Sequence, residues 1–231
     1  MKPFRFQQFT VQQSKEVFRV GTDGVLLGSL CWCAEAGRIL EVGSGTGLIS
    51  LMVAQRCSEA KILALDINPA AVQLTQKNFA SSPFSKRLVA EEHDFKFFEP
   101  TQKFDLIVSN PPYFEENTSL KDTVARQTVE LNFRELLASA VKMISKEGIL
   151  SLIVPSESSS EIIALAKKIG VELCRKVNIY GIEGGSLRRN ILEFSFTPKN
   201  LVEENFIIEK SPRKYSDQYL ELTREFHIFG K

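Results

Sequence analysis

The sequence predicts an α/β domain built on a mostly parallel, seven-stranded sheet that closes with an antiparallel hairpin strand. Three observations carry this. From about residue 38, short apolar runs of strand type alternate with longer runs of helix type. Near the end of that series the alternation stops, and two strand candidates follow one another with only a glycine-containing loop between them. The chain has 231 residues, 43% of them apolar, which suits one domain with a sizeable core.

Taken in order, "RILEV" (38–42) is the first strand, and "GSGTG" leads from it into an apolar helix, "LISLMVAQRC". "KILALD" (61–66) is the second strand. The helix after it opens with Asn68 as N-cap and Pro69 at the first helical position, where a missing N–H costs nothing. "KRLVAEEHD" (86–94) is the third strand and "KFDLIVSN" (103–110) the fourth. "LNFRELLASAVKMI" (131–144) has helical spacing, with Lys146, Glu147 and Gly148 closing it before the fifth strand, "GILSLIVP" (148–155). A helix from the serines after Pro155 ends on Gly170 as its C-cap. "ELCRKVNIYG" and "RNILEFSFT" are the hairpin strands, joined through "IEGGSLR".

The domain is expected to span residues 1–231, with an N-terminal arm and helix (1–37), a core (38–197) and a basic C-terminal extension (198–231). The arm ends in an apolar helix after a Gly-Thr-Asp-Gly turn; the extension reads as an extended piece, a basic turn around Pro212 and a last helix. A formal net charge of +1 excludes a chain-wide nucleic-acid surface, so any such contact must be a local patch. Cys31, Cys33, Cys57 and Cys174 lack metal-ligand spacing and read as reduced, packed thiols. With no signal-like or membrane-length apolar run, a cytoplasmic location follows as the expectation, without membrane or metal partner and as a monomer.

"LEVGSGTG" places Gly43, Ser44, Gly45 and Gly47 between a strand and a helix, where small residues let a ligand approach the backbone. Nucleotide, flavin and methyl-donor sites all use such runs. Two carboxylates narrow the choice. Glu41 sits where it would repel a pyrophosphate, and Asp66 ends the second strand, where a carboxylate can accept both hydroxyls of a ribose. S-adenosylmethionine fits that pattern, with a sulfonium and an ammonium in place of phosphate.

"SNPPY" ends the fourth strand. Its chemistry suits a planar amine. An exocyclic adenine nitrogen is a weak nucleophile because its lone pair is delocalised into the ring. Two acceptors, the side-chain oxygen of Asn110 and the carbonyl of Pro111, can grip its two N–H bonds and favour the pyramidal form. Pro111 and Pro112 fix φ and offer C=O without N–H. Tyr113 gives a flat face for the base, at about 1–3 kcal/mol for such stacking, and a paired base must first leave its stack.

Together "LEVGSGTG", "LDIN" and "SNPPY" at successive strand ends resemble the Rossmann-like methyltransferases, over roughly residues 20–197. The resemblance implies that Glu41 or its neighbours hold the donor's methionine end and that the glycine run passes beneath it. Asp66, with Ile67 beside it, takes the ribose, and an acidic residue after the third strand reads the adenine. Glu91, Glu92 and Asp94 compete for that last role, with Asp94 preferred. Asn110 is also assigned to the donor side. "FRFQQFTVQQ", "FRVGTDGVLLG", "EVGSGTGLISLMVAQR" and "SNPPYF" are similar to the bacterial enzymes that methylate N6 of adenine-37 in valine tRNA. That likeness puts Thr22 and Asp23 near the methionine end and implies a tRNA partner. The same motif serves glutamine-amide methyltransferases; an rRNA base enzyme, a non-catalytic adenosyl- or RNA-binding module and an NAD-linked oxidoreductase are the other readings.

Local basic patches are the candidate RNA contacts: Lys2 and Arg5, interleaved with Phe4 and Phe6; Lys121 and Arg126 after NPPY; Arg188 and Arg189 at the hairpin turn; Arg213 and Lys214 beside Tyr215. Each competes with a plain solvated face, and the N-terminal phenylalanines with simple packing. His93 and His227 read as structural, and Trp32 as core. The polar stretch "EENTSLKDTVARQTVE" reads as a loop that orders when RNA binds.

Overall fold

The computed structural model describes residues 1–111, 133–197 and 200–228. Pro112, Tyr113, Lys121, Arg126 and the polar loop after NPPY lie outside them.

Eleven strands and six α-helices are described. An arm pairs β1 (Phe4–Arg5) with β2 (Thr10–Val11), antiparallel. Then come α1 (Thr22–Leu30), β3 (Arg38–Val42), α2 (Leu48–Arg56), β4 (Lys61–Asp66), α3 (Pro69–Ala80), β5 (Leu88–Glu92) and β6 (Phe104–Ser109). The second half holds α4 (Phe133–Met143), β7 (Ile144–Pro155), α5 (Ser159–Lys168), β8 (Glu172–Ile182), β9 (Leu187–Ser195), β10 (Val202–Ser211), β11 (Lys214–Tyr215) and α6 (Asp217–Thr223). Strands β3 to β11 form one nine-stranded sheet in the order β11-β10-β8-β9-β7-β6-β3-β4-β5.

The seven predicted strands are all present, and β9 alone among them runs antiparallel to its neighbours, on both β7 and β8. The sheet is wider than predicted because the extended piece after residue 200 adds to the open edge of β8. β10 runs parallel to β8, from Val202 opposite Arg175 to Glu209 opposite Ile182. The basic turn is there too, with Arg213 at φ 65. Two other boundaries move. β7 starts at Ile144, so Lys146–Gly148 lie inside a strand rather than closing a helix. A jump in register against β6, between Phe104 and Leu106, absorbs the extra residues. β5 stops at Glu92, and Ser85–Arg87 form a 3-10 turn before it.

The central strands are apolar on both faces because helices cover both. Ile39, Ile62, Leu106 and Val108 face α1, α2 and the N-terminal arm. Leu40, Val42, Leu65 and Ile107 face the side of α4 and α5, with Leu136, Leu137 and Ile162. α3 begins as expected, with Asn68 Oδ1 accepting from the Ala70 N–H at 2.9 Å. Phe6 and Phe9 are buried and stack at 4.7 Å, which gives those rings a packing role. Phe6 also stacks on His227 at 5.5 Å, and Gln7 Nε2 donates to the carbonyl of His227 at 2.8 Å. The arm is thereby clasped to the far end of the chain. Trp32 is partly buried against the core.

The cysteine expectation needs correction. Cys33 and Cys57, with Cα atoms 6.6 Å apart, are paired as a disulfide across the ends of α1 and α2. Cys31 and Cys174 stay outside that pair as buried thiols, Cys174 donating to the Glu193 carbonyl at 3.2 Å.

Candidate active site

After β3 the chain goes to β4 and β5 on one side and returns to β6 on the other. Such a reversal leaves a crevice beyond the carboxyl ends of the strands. A cavity of about 760 Å³ lies there, within the range of small-ligand sites. It is lined from β3 and its loop by Glu41, Gly43, Ser44 and Gly45, and from β4 by Asp66 and Ile67. Asp94 lines it from beyond β5, and Asn110 and Pro111 from beyond β6. Thr22 and Asp23, at the start of α1, complete the far wall. Parallel pairing sets this convergence: Val42 lies opposite both Leu65 and Ser109, so the strand ends come level.

The glycine run turns through left-handed backbone, with φ of 78 at Gly43, 52 at Gly45 and 74 at Gly47. At Gly47 space is limiting as well, since a Cβ would lie 2.7 Å from the Phe79 ring and 2.9 Å from Thr75. The loop is tied to β4. Asp66 Oδ2 accepts from the Gly45 N–H at 2.9 Å, and Oδ1 accepts from the Asn68 N–H at 2.9 Å. Each oxygen keeps a second lone pair for a ligand hydroxyl.

Glu41 is 1% exposed. Its Oε2 accepts from the Ser50 N–H at 3.1 Å and from the Ser50 hydroxyl. Burial pushes its carboxyl up to about 8, against those hydrogen bonds, and the nearby Asp66 adds to the rise. A buried carboxylate without a cation is costly, and a cationic ligand in the cavity would relieve that cost. Ser50 was not foreseen. Its signal is a serine inside the otherwise apolar run of α2.

Asp94 caps a 3-10 turn, with Oδ1 accepting from the Lys96 N–H at 3.0 Å and Oδ2 3.8 Å from Lys96 Nζ. Of the three acidic candidates Asp94 lines the cavity, whereas Glu91 and Glu92 are exposed at the end of β5. Asp23 receives a hydrogen bond from Arg189 Nε at 3.0 Å. Arg189 and Arg188 lie in β9 rather than in the turn, and Arg189 is spent in part on the cavity wall. Lys2, Arg5, Arg213 and Lys214 are exposed, on the arm and the C-terminal turn. They do not line the cavity. Phe18, Arg19, His93 and Lys96 do line it, and the sequence reading gave none of them a role there.

Acidic groups at two strand ends, a left-handed glycine loop and a void large enough for an adenosyl ligand define a methyl-donor site of the Rossmann-like class. The described residues fit S-adenosylmethionine: Glu41 lacks the positive charge that a sulfonium or ammonium brings, and Asp66 has lone pairs left for a ribose. The Methyltransferase small domain profile matches residues 13–181. A tRNA1(Val) (adenine(37)-N6)-methyltransferase of Flavobacteriaceae bacterium strain 3519-10 is 49% identical, over 99% of this chain and 100% of the relative. One from Bacteroides thetaiotaomicron is 37% identical, over 99% of this chain and 98% of the relative. Among solved structures, a predicted O-methyltransferase from Agrobacterium tumefaciens superposes with a TM-score of 0.70 at 21% identity, over 88% of this chain and 96% of that one. The chain belongs to the tRNA1(Val) (adenine(37)-N6)-methyltransferase family, within the small-domain methyltransferases. It is an S-adenosylmethionine-dependent methyltransferase. None of its described helices is long and apolar enough to cross a membrane.

Proposed function

We propose that the chain methylates the exocyclic N6 of an adenine in tRNA, adenine-37 of valine tRNA. One observation supports this above the others: Asn110 and Pro111 line the same cavity as Glu41, Gly45, Asp66 and Asp94. The relatives' names supply the acceptor. S-adenosylmethionine supplies an electrophilic methyl carbon. Glu41 balances its positive end, the 43–47 loop takes its methionine moiety, Asp66 its ribose and Asp94 its adenine.

Asn110 Oδ1 and the Pro111 carbonyl accept from the two N–H bonds of the target amine and aim its lone pair at the methyl carbon. Most of the rate gain is alignment, since displacement at carbon needs the three atoms in line. With the donor bound, the C–N bond would form as the S–C bond breaks and S-adenosylhomocysteine leaves; the methylated nitrogen, cationic only then, would shed its proton to water, so a strong base is unnecessary. Ser109, whose hydroxyl donates to the Val42 carbonyl at 2.8 Å, fixes the end of β6 from which Asn110 projects. A tRNA acceptor places the protein in the cytoplasm, where it would act as a monomer.

The test offers tritiated donor with tRNA, rRNA or release factor, followed by nucleoside analysis. N6-methyladenosine in tRNA alone is the expected product. Label in protein, or in rRNA alone, overturns the acceptor. Asn110→Ala is expected to lower turnover by about a thousandfold while donor affinity stays within about twofold of wild type. Full activity in that variant removes the proposed grip.

A further inference from the structure

The reading above gives partners to the reacting nitrogen and none, among the described residues, to the strand that carries it. Residues 14–20 include two, Phe18 and Arg19, that line the cavity. The backbone of this segment is pinned at several points. The Glu16 N–H donates to Ser14 Oγ at 3.1 Å, the Glu16 carbonyl accepts from Asn68 Nδ2 at 3.5 Å, and the Val20 N–H donates to Gln13 Oε1 at 3.1 Å. Val17 is buried, beside Gly45. Between these anchors Phe18 is 83% exposed. Arg19 is exposed as well, and no described residue pairs with its guanidinium.

A single exposed phenylalanine needs no explanation by itself. Its place does. Phe18 and Arg19 line the cavity that Asn110 and Pro111 also line, on a segment that packing has already fixed. A ring held out on a rigid support loses little conformational freedom when something stacks on it. An aromatic face next to an unpaired cation is what an unstacked nucleotide needs, one group for the base and one for the phosphate.

We propose that Phe18 stacks on a nucleobase of the strand that delivers the target adenine, and that Arg19 contacts the adjoining phosphate. The pair positions the acceptor; neither residue touches the reacting atoms. This rests on the reading that the acceptor is RNA. It differs from the basic patches at Arg5 and Arg213 in lying on the cavity rim itself.

The competing use of Phe18 is as a cover over the donor, and one set of variants separates the two. Phe18→Leu keeps an apolar side chain and removes the flat face; Phe18→Tyr keeps the face. For valine tRNA, Phe18→Leu is expected to raise KM about tenfold and Phe18→Tyr to stay near wild type, the size that base stacking supports. Donor Kd by calorimetry and the melting temperature should not move. Arg19→Gln should weaken tRNA binding and flatten its salt dependence by about one phosphate contact. Equal KM for Phe18→Leu and wild type overturns the proposal, as does a donor Kd that worsens in step with KM. Wild-type protein is assayed alongside. If it transfers no methyl group to tRNA, the acceptor reading itself has failed and this one falls with it.

Discussion

Two glutamates are buried among the described residues, and the protein treats them in opposite ways. Glu193, 2% exposed, lies in β9 and is fully answered by its surroundings. It accepts from the Trp32 N–H at 2.8 Å and the Ser151 hydroxyl at 3.1 Å, and Arg175 Nη1 stands 3.4 Å from Oε2. Arg175 extends the network to the Leu30 carbonyl at 2.8 Å and to Glu204 on β10 at 3.0 Å. That set ties the end of α1 to four strands. Glu41, 1% exposed, has Ser50 and, among the described residues, no cation as a partner, and it faces a void. A buried charge with its counter-ion in the chain belongs to the fold. A buried acid without one is a place kept for a ligand, and its cost in the free protein is carried by the rest of the structure.

Breaking the satisfied carboxylate should cost most. Glu193→Ala leaves Arg175 half-paired and the Trp32 N–H without its acceptor. A loss of about 3–5 kcal/mol in urea unfolding is expected, with donor affinity per folded molecule unchanged. A loss below about 1 kcal/mol would mean that the network adds little.

Glu41→Gln should do the reverse. The amide oxygen can still accept from Ser50, so the ligand-free protein should melt at a higher temperature, while donor Kd rises by about ten- to a hundredfold. The pH dependence sharpens the contrast. Because the folded carboxyl sits at about 8 rather than 4.5, its contribution to stability is complete below about pH 4.5 and is lost as pH rises through 8. A cationic donor prefers the carboxylate. Donor affinity should therefore climb between pH 6 and 9, with proton release visible in buffers of different ionisation enthalpy. In the glutamine variant both trends should vanish; an unchanged profile would assign them to another group.

The smallest effect is expected at the exposed end of the network. Glu204 is 45% exposed, and Glu204→Ala should change stability by about 0.5 kcal/mol or less. A change as large as that of Glu193→Ala would show that the two regions of the network are not separable.

Much of this was legible in the sequence, for reasons that differ by region. The cavity announces itself because its parts are local. Glycines that need left-handed backbone, carboxylates at strand ends and the Asn-Pro pair sit in short consecutive motifs at 41–47, 66–67 and 110–111. What stayed hidden depends on distant partners. Nothing in "NFIIEK" says that it will add beside β8, because that pairing is decided by the open edge of another strand. Arg189 read as an RNA contact because its partner, Asp23, is 166 residues away. Phe18 went unassigned because exposure at a rim is a property of the folded surface.

The clasp between the arm and the far end of the chain bears on how the polypeptide emerges from the ribosome. Gln7 finds its acceptors 217 and 220 residues later, at Arg224 and His227. Phe4 and Phe6, whose rings pack against His227, are thus translated long before that part of their covering exists. At roughly 5–20 residues per second, that leaves two aromatic rings open to chaperones for about ten seconds or more in each round of synthesis.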